Sequence, residues 1–225
     1  MRFQFVSVVV LLASLSGSSW CCAEDPLFED TFDKGLSDKW KAVDLKSEDY
    51  RIRDGALEIK LRPEKQEGGT PMLKVDLPFK TSDTLTASVD VTVVGPPLPR
   101  GAWAGLALTG QKGARFTVRK TNLDGYFVFA PGEVDFIGKD GEEGDPGKYT
   151  VKYWPADKAA GPLRIIVRGD YAYFQVGPSS TNEYKTLFHT AISKSDSGMG
   201  FGLIAVGGSS NVEQWVRFDN FRVQK

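Results

Sequence analysis

From Glu24 onward the chain is built of short runs in which apolar and polar residues alternate, and most runs are bounded by Gly, Pro, Asp or Asn. The runs are Tyr50–Leu61, Leu85–Val94, Trp103–Leu108, Arg115–Arg119, Tyr126–Phe129, Val134–Ile137, Leu163–Val176, Met199–Val206 and Val212–Val223. Apolar residues spaced for a helix face are hard to find, so the pattern predicts roughly a dozen strands in an all-β sandwich or barrel. Within Leu163–Val176, alternation places Leu163, Ile165 and Val167 on one face and Arg164, Ile166 and Arg168 on the other, a half-buried strand. Gly169-Asp170 then turns the chain into a second alternating run, and Asp54-Gly55 supplies the positive φ angles of a tight type I′ hairpin. Arg62–Pro71 and the acidic Lys139–Lys148 read as long loops, and Pro96-Pro97-Leu98-Pro99 reads as a stiff connector. Strand-like sequence resumes at Ala102, so one domain is expected.

The first residues follow a different pattern. Arg2 precedes an apolar run from Phe5 to Leu15 and then small and polar residues, the layout of a secretory signal peptide. That run is too short to span the ~30 Å of a bilayer core as a helix. Cleavage after Ala23, with Cys21 and Ala23 as the small residues of the site, is expected to leave residues 24–225 as a secreted or periplasmic domain. Lipid attachment wants a small residue before the cysteine, whereas Trp20 precedes Cys21 and Cys21 precedes Cys22, so a lipoprotein is the lesser reading. Both cysteines of the chain lie in the leader, so a core without disulfides must hold the exported part together, as suits a bacterial secreted domain of this size. The chain carries 28 Lys and Arg against 29 Asp and Glu, and the leader removes only Arg2. This balance gives no electrostatic case for nucleic acid.

Both ends of the exported part carry a resemblance. Phe28-Glu29-Asp30-Thr31-Phe32-Asp33, then Leu36, Trp40 and the Asp54-Gly55-Ala56-Leu57 hairpin, resemble the opening of concanavalin A-like lectin/glucanase domains. Gly200-Phe201-Gly202-Leu203-Ile204-Ala205 and Val216-Arg217-Phe218-Asp219-Asn220-Phe221-Arg222-Val223 resemble their closing strands. The resemblance implies a jelly-roll β-sandwich of two antiparallel sheets whose first and last strands meet in one sheet. Its functional content is broad, since the superfamily holds lectins, laminin-G-like modules, glycosidases and 3-keto-disaccharide hydrolase-type domains. Domains of the last kind share the hairpin and the Phe218–Val223 ending most closely.

Two function classes follow: a secreted carbohydrate-binding or cell-surface interaction module, and a hydrolase acting on glycans. For the enzyme, Glu133-Val134-Asp135-Phe136-Ile137-Gly138 resembles the acidic strand of retaining glucanases. There Glu133 would match the nucleophile and Asp135 its assisting carboxylate, but glycine stands at 138 where the acid/base glutamate belongs. A retaining mechanism needs two carboxyls about 5–5.5 Å apart, so the pair alone does not complete a site. A solvent-facing strand whose acids alternate with Val134 and Phe136 explains the same residues. His189 is the only histidine, and no Gly-x-Ser-x-Gly elbow accompanies it. Together with the cysteine-free exported part, this leaves no conventional zinc or copper ligand set. Arg168-Gly169-Asp170 spells an adhesion tripeptide at a place where hairpin chemistry asks for Gly and Asp.

For binding, sugar faces stack on flat rings, and the candidates are Trp103, Tyr126, Tyr149, Tyr153, Trp154, Tyr171 and Tyr173. Aromatics also fill sandwich cores, and alternation singles out Tyr171 and Tyr173 as exposed if Ala172, Phe174 and Val176 point inward. Arg164 and Arg168, on the neighbouring strand, are placed to bond hydroxyls beside them. The resemblance also implies a structural calcium ion where the chain ends meet, with Glu29, Asp30, Asp33 and Asp219 as the matching carboxylates and backbone carbonyls and water completing the shell. The alternative for Asp219 is a bulge that turns both Phe218 and Phe221 inward and leaves the acid facing water.

Overall fold

The computed structural model describes residues 25–62, 70–77, 83–110, 113–123, 126–133, 154–155, 162–177, 184–192, 199–207 and 213–225, with only the backbone described at 110, 113–115, 123, 126–133 and 154–155. The expected signal peptide (residues 1–23), Val134–Ile137 and Lys139–Lys148 lie outside these residues. Among the described residues there are fifteen strands: β1 (Phe28–Asp30), β2 (Trp40–Val43), β3 (Tyr50–Arg53), β4 (Ala56–Lys60), β5 (Met72–Asp76), β6 (Thr84–Val94), β7 (Trp103–Gly110) and β8 (Gly113–Leu123), followed by β9 (Tyr126–Glu133), β10 (Trp154–Pro155), β11 (Leu163–Arg168), β12 (Tyr171–Val176), β13 (Lys185–Ala191), β14 (Gly200–Val206) and β15 (Trp215–Gln224). A single 3-10 turn, Ser47–Asp49, is the only helical element among the described residues, and none of their helices is long and apolar enough to cross a membrane.

The strands form two antiparallel sheets. One has eight strands, in the order β13-β12-β11-β6-β15-β4-β3 with β1 also paired to β15, and the other has seven, in the order β10-β9-β8-β7-β14-β5-β2. Alternation explains the layering: β6 reads buried at Leu85, Ala87, Val89 and Val91, and β11 and β12 bury Leu163, Ile165, Val167, Ala172, Phe174 and Val176. These meet Leu106, Leu108, Val118, Phe201, Leu203 and Ala205 of the other sheet in one apolar layer. Two expected hairpins are present: Asp54 (φ 50°) and Gly55 (φ 70°) join β3 to β4, and Gly169 (φ 58°) lies in the turn from β11 to β12. The Arg168-Gly169-Asp170 tripeptide is thereby a hairpin corner.

The chain ends meet as the resemblance implied. β1 runs antiparallel to the second half of β15, with Phe28 opposite Val223 and Asp30 opposite Phe221, while β4 pairs with its first half, Trp215–Phe218. On the other edge, β6 follows β15 with a register shift between Asp219 and Arg222, where Asn220 takes φ 52°. This bulge puts two consecutive inward positions three residues apart, and both Phe218 and Phe221 are fully buried. The Pro96–Pro99 connector is pinned to the sandwich. Leu98 is buried, its carbonyl accepts from Asn122 Nδ2 at 2.5 Å, and the Pro96 carbonyl accepts from Gln214 Nε2.

Candidate functional site on the outer face of the eight-stranded sheet

Because Ala172, Phe174 and Val176 point into the core, Tyr171 and Tyr173 of β12 project from the opposite face; Tyr171 is 48% exposed. Register sets their neighbours. Tyr171 stands opposite Arg168, Tyr173 opposite Ile166 and Gln175 opposite Arg164 on β11. On the other side Tyr173 stands opposite His189 of β13, and the two rings stack at 5.8 Å with 26° between planes. Tyr171 approaches the same imidazole at 6.4 Å. Three adjacent strands thus present a band of Tyr171, Tyr173, His189 and the partly exposed Ile166.

Arg164 borders this band and is held by uncharged groups. Its Nε donates to Gln175 Oε1 at 2.7 Å, Gln175 Nε2 donates to Thr186 Oγ1 at 2.9 Å, and the guanidinium carbon lies 3.3 Å from the centroid of the Tyr184 ring. Burial lowers the Arg164 pKa from its ordinary value, with Tyr184 opposing. Burial raises that of the Tyr184 phenol, against the nearby Arg164 charge and with Asp90 adding to the rise. Arg168, four residues along β11, is exposed on the same face.

Farther along the sheet the face becomes an ion-pair ladder. The Glu58 carboxylate is buried between two arginines, accepting from Arg51 at 2.7 Å and Arg217 at 3.3 Å. The Arg51 guanidinium also covers the Trp215 ring at 3.9 Å. This part of the surface is filled by its own side chains.

The carboxylates expected to hold calcium are spread over different contacts. Asp30 is buried: its Oδ1 accepts from Phe32 N at 2.9 Å, and its Oδ2 accepts from Ser37 N at 3.2 Å and Trp40 Nε1 at 2.9 Å. Asp33 accepts from Thr31 Oγ1 and abuts Gly55 of the hairpin. Glu29 faces Arg222 at 3.9 Å across the β1–β15 pair. Asp219 Oδ1 accepts from Asn220 N at 2.7 Å, and Asp219 stands opposite Asp90, whose Oδ2 accepts from Asn220 Nδ2 at 2.9 Å. Among the described residues no three His, Cys, Asp or Glu side chains group as metal ligands would.

Of the nine residues expected to contact a ligand, four, Arg164, Arg168, Tyr171 and Tyr173, share this face on adjacent strands. Trp103 does not join them. It is 5% exposed on the seven-stranded sheet, packed with Met72, Ala107, Ile204 and Val206 on the face turned away from the central core and capped by Arg119 at 4.9 Å. Strand alternation points its ring into this second apolar cluster. Tyr126 opens β9 opposite Leu123, and its side chain lies outside the described set. Glu133 ends the same strand opposite Phe116, again as backbone only, and Asp135 lies outside the described residues. Tyr149 and Tyr153 are also outside, and Trp154 is described by its backbone alone.

Sequence reasoning passed over His189, Gln175 and Tyr184. The position of His189 beside Tyr173 depends on a register shift at Phe174/Gln175 that alternation does not reveal.

The chain matches no protein-family model and no curated protein sequence. Solved structures do resemble it. "Xyloglucan PUL GH43B" of Bacteroides ovatus superposes with a TM-score of 0.66 at 19% identity, covering 89% of this chain and 39% of that one. The xylan beta-1,4-xylosidase of Bacillus halodurans gives 0.67 at 12% identity, covering 90% and 40%. Lectin I-B4 of Griffonia simplicifolia gives 0.53 at 12% identity, covering 88% and 98%. The chain spans about two fifths of the length of these two GH43 and xylosidase structures and nearly the whole of the lectin. At these identities the likeness speaks for the fold: the chain is a two-sheet, concanavalin A-like jelly-roll sandwich.

Proposed function

We propose that this chain is an exported, non-catalytic carbohydrate-binding module, and that glycan lies across β11, β12 and β13 on the outer face of the eight-stranded sheet. The observation that carries the reading is the band of Tyr171, Tyr173 and His189 beside Arg164, Arg168 and Gln175. Flat rings offer apolar area to the C–H faces of sugars, and the flanking arginines and amide offer donors to hydroxyls. These side chains stand on strands whose opposite face is locked in the core, so the band is held in place before ligand arrives. The names of the structural neighbours, which include a lectin and a xylosidase, lend support to a sugar ligand.

A second reading, a glycan-acting hydrolase using Glu133 and Asp135, draws on the likeness to GH43 structures. A glycan array and a hydrolysis screen on the purified protein separate the two. Binding without turnover, weakened at least tenfold in Tyr171→Ala/Tyr173→Ala while the melting temperature holds, is the expected result. Turnover that Glu133→Gln abolishes would replace the binding reading with the enzymatic one. Glycan binding that the tyrosine variant leaves unaltered would move the site elsewhere on the molecule.

A further inference from the structure

Five of the described arginines face a described carboxylate. Arg51 and Arg217 face Glu58, Arg53 faces Asp54, Arg62 faces Asp49 and Arg222 faces Glu29. Arg164 and Arg168 face no carboxylate among the described residues, and both lie in the proposed sugar-binding band. Arg164 is the more telling, because it is half-buried and immobilised without a counter-charge. Gln175 holds its Nε, the Tyr184 ring backs its plane at 3.3 Å, and Thr186 fixes Gln175 in turn. The two Nη groups make no hydrogen bond to a described residue. The nearby acids of the face are engaged with Asn220, Asp90 through its side-chain amide and Asp219 through its backbone N–H.

We infer that the glycan bound on this face is acidic, and that Arg164 receives its anionic group, a uronate carboxylate or a sulfate ester, through the free end of the guanidinium. The inference rests on the proposed sugar-binding reading. A guanidinium whose plane is already set by neutral partners presents two parallel donors to a planar or trigonal anion, and little side-chain freedom remains to be lost on binding. Lysine could supply the charge but not the fork. Arg168 lies four residues along the same strand, about 13 Å at the usual strand rise. Ile166 stands between the two, so a polymer with repeated acidic groups can meet both cations while its apolar sugar faces cross Ile166 and Tyr173.

The test is titration calorimetry of the whole protein with an oligogalacturonide, a sulfated heparin-derived oligosaccharide and a neutral xylo-oligosaccharide, each at low and at physiological salt. One of the acidic ligands is expected to bind at least tenfold more tightly than the neutral one, and which of them does so distinguishes carboxylate from sulfate. Arg164→Gln should erase that preference, and Arg164→Lys should recover only part of it. Tyr173→Ala should weaken acidic and neutral ligands alike. Thermal melts of each variant check that the sandwich is intact. Equal or stronger binding of the neutral ligand overturns the inference and leaves the sugar-binding reading standing, as does a preference that survives Arg164→Gln. Absence of binding to every glycan rejects both.

Discussion

The Trp40 indole N–H donates to the Asp30 carboxylate at 2.9 Å, joining two residues ten positions apart at the point where the chain ends meet. Around this bond the Trp40 ring packs edge-on to Phe28 at 5.7 Å and to Phe221 at 4.9 Å, so one contact set ties β1, β2 and β15 together. The same carboxylate holds the N–H of Phe32, a buried residue at φ 60°, in a left-handed conformation that phenylalanine rarely takes.

Asp30 is therefore expected to be among the most sensitive polar positions. Asp30→Ala leaves three N–H donors without their acceptor and should destabilise by about 3 kcal/mol, roughly 6–12 °C in melting temperature for a domain of this size. Asp30→Asn should cost less but still be measurable, since one acceptor oxygen becomes a donor facing donors. Thermal melts of both variants check this, and a shift under about 2 °C for the alanine variant would contradict it.

The donor set of Asp30 bears on calcium as well. Calcium takes 6–8 oxygen ligands, and at this junction Asp30 is already engaged by three N–H groups while Glu29 and Asp219 face other partners. Chelator is expected to leave the melting curve unchanged. A several-degree rise with millimolar calcium that Asp219→Ala abolishes would establish the ion instead.

Glu58 is buried between Arg51 and Arg217. Removing one member of a buried ionic set leaves the others without compensation, so Glu58→Ala should destabilise by about 3 kcal/mol, whereas an exchange at solvent-exposed Lys46 or Glu48 should be close to neutral. Chemical denaturation curves for the three variants provide the comparison.

Asp49 makes stability depend on acid. Burial of its carboxyl raises the pKa, but the Lys46 N–H and the Arg62 guanidinium outweigh it and hold the folded value below the ordinary one. A group depressed in the folded state stabilises above its unfolded pKa of about 3.9, and that contribution is lost as pH falls through the folded value. Melting temperature should therefore decline below about pH 4, and Asp49→Asn should flatten that part of the profile while lowering stability at neutral pH.

Gly105 of β7 is a position where even a methyl group does not fit. A Cβ there would strike the Val118 carbonyl and come within 2.8 Å of Arg119 Cα. Gly105→Ala is expected to cost about 2 kcal/mol or more through backbone displacement, and to leave glycan affinity of the folded fraction unaltered because the position lies in the other sheet.

Alternation along β11 and β12 was enough to assign the exposed faces of Arg164, Tyr171 and Tyr173, because a strand with one side in the core has only one other side to show. The hairpins at Asp54-Gly55 and Gly169-Asp170 were equally legible, since positive φ asks for particular residue types in a short window. β2 and β5 were not legible: each holds only four or five residues, and their pairing joins Trp40 to Val75 and Met72 to Ile204 over long stretches of chain. Trp103 illustrates the same limit from the other side. Its strand was evident, but only the packing of Met72, Ile204 and Val206 around it makes the outward face of that strand a buried one. Local pattern thus determined the longer strands and, for β11 and β12, which side of each faces the core. Tertiary structure decided which distant strands lie side by side, and it added His189 to the Tyr173 and Arg164 surface that the β11–β12 hairpin already brings together, through a register shift at Phe174/Gln175 that alternation does not reveal.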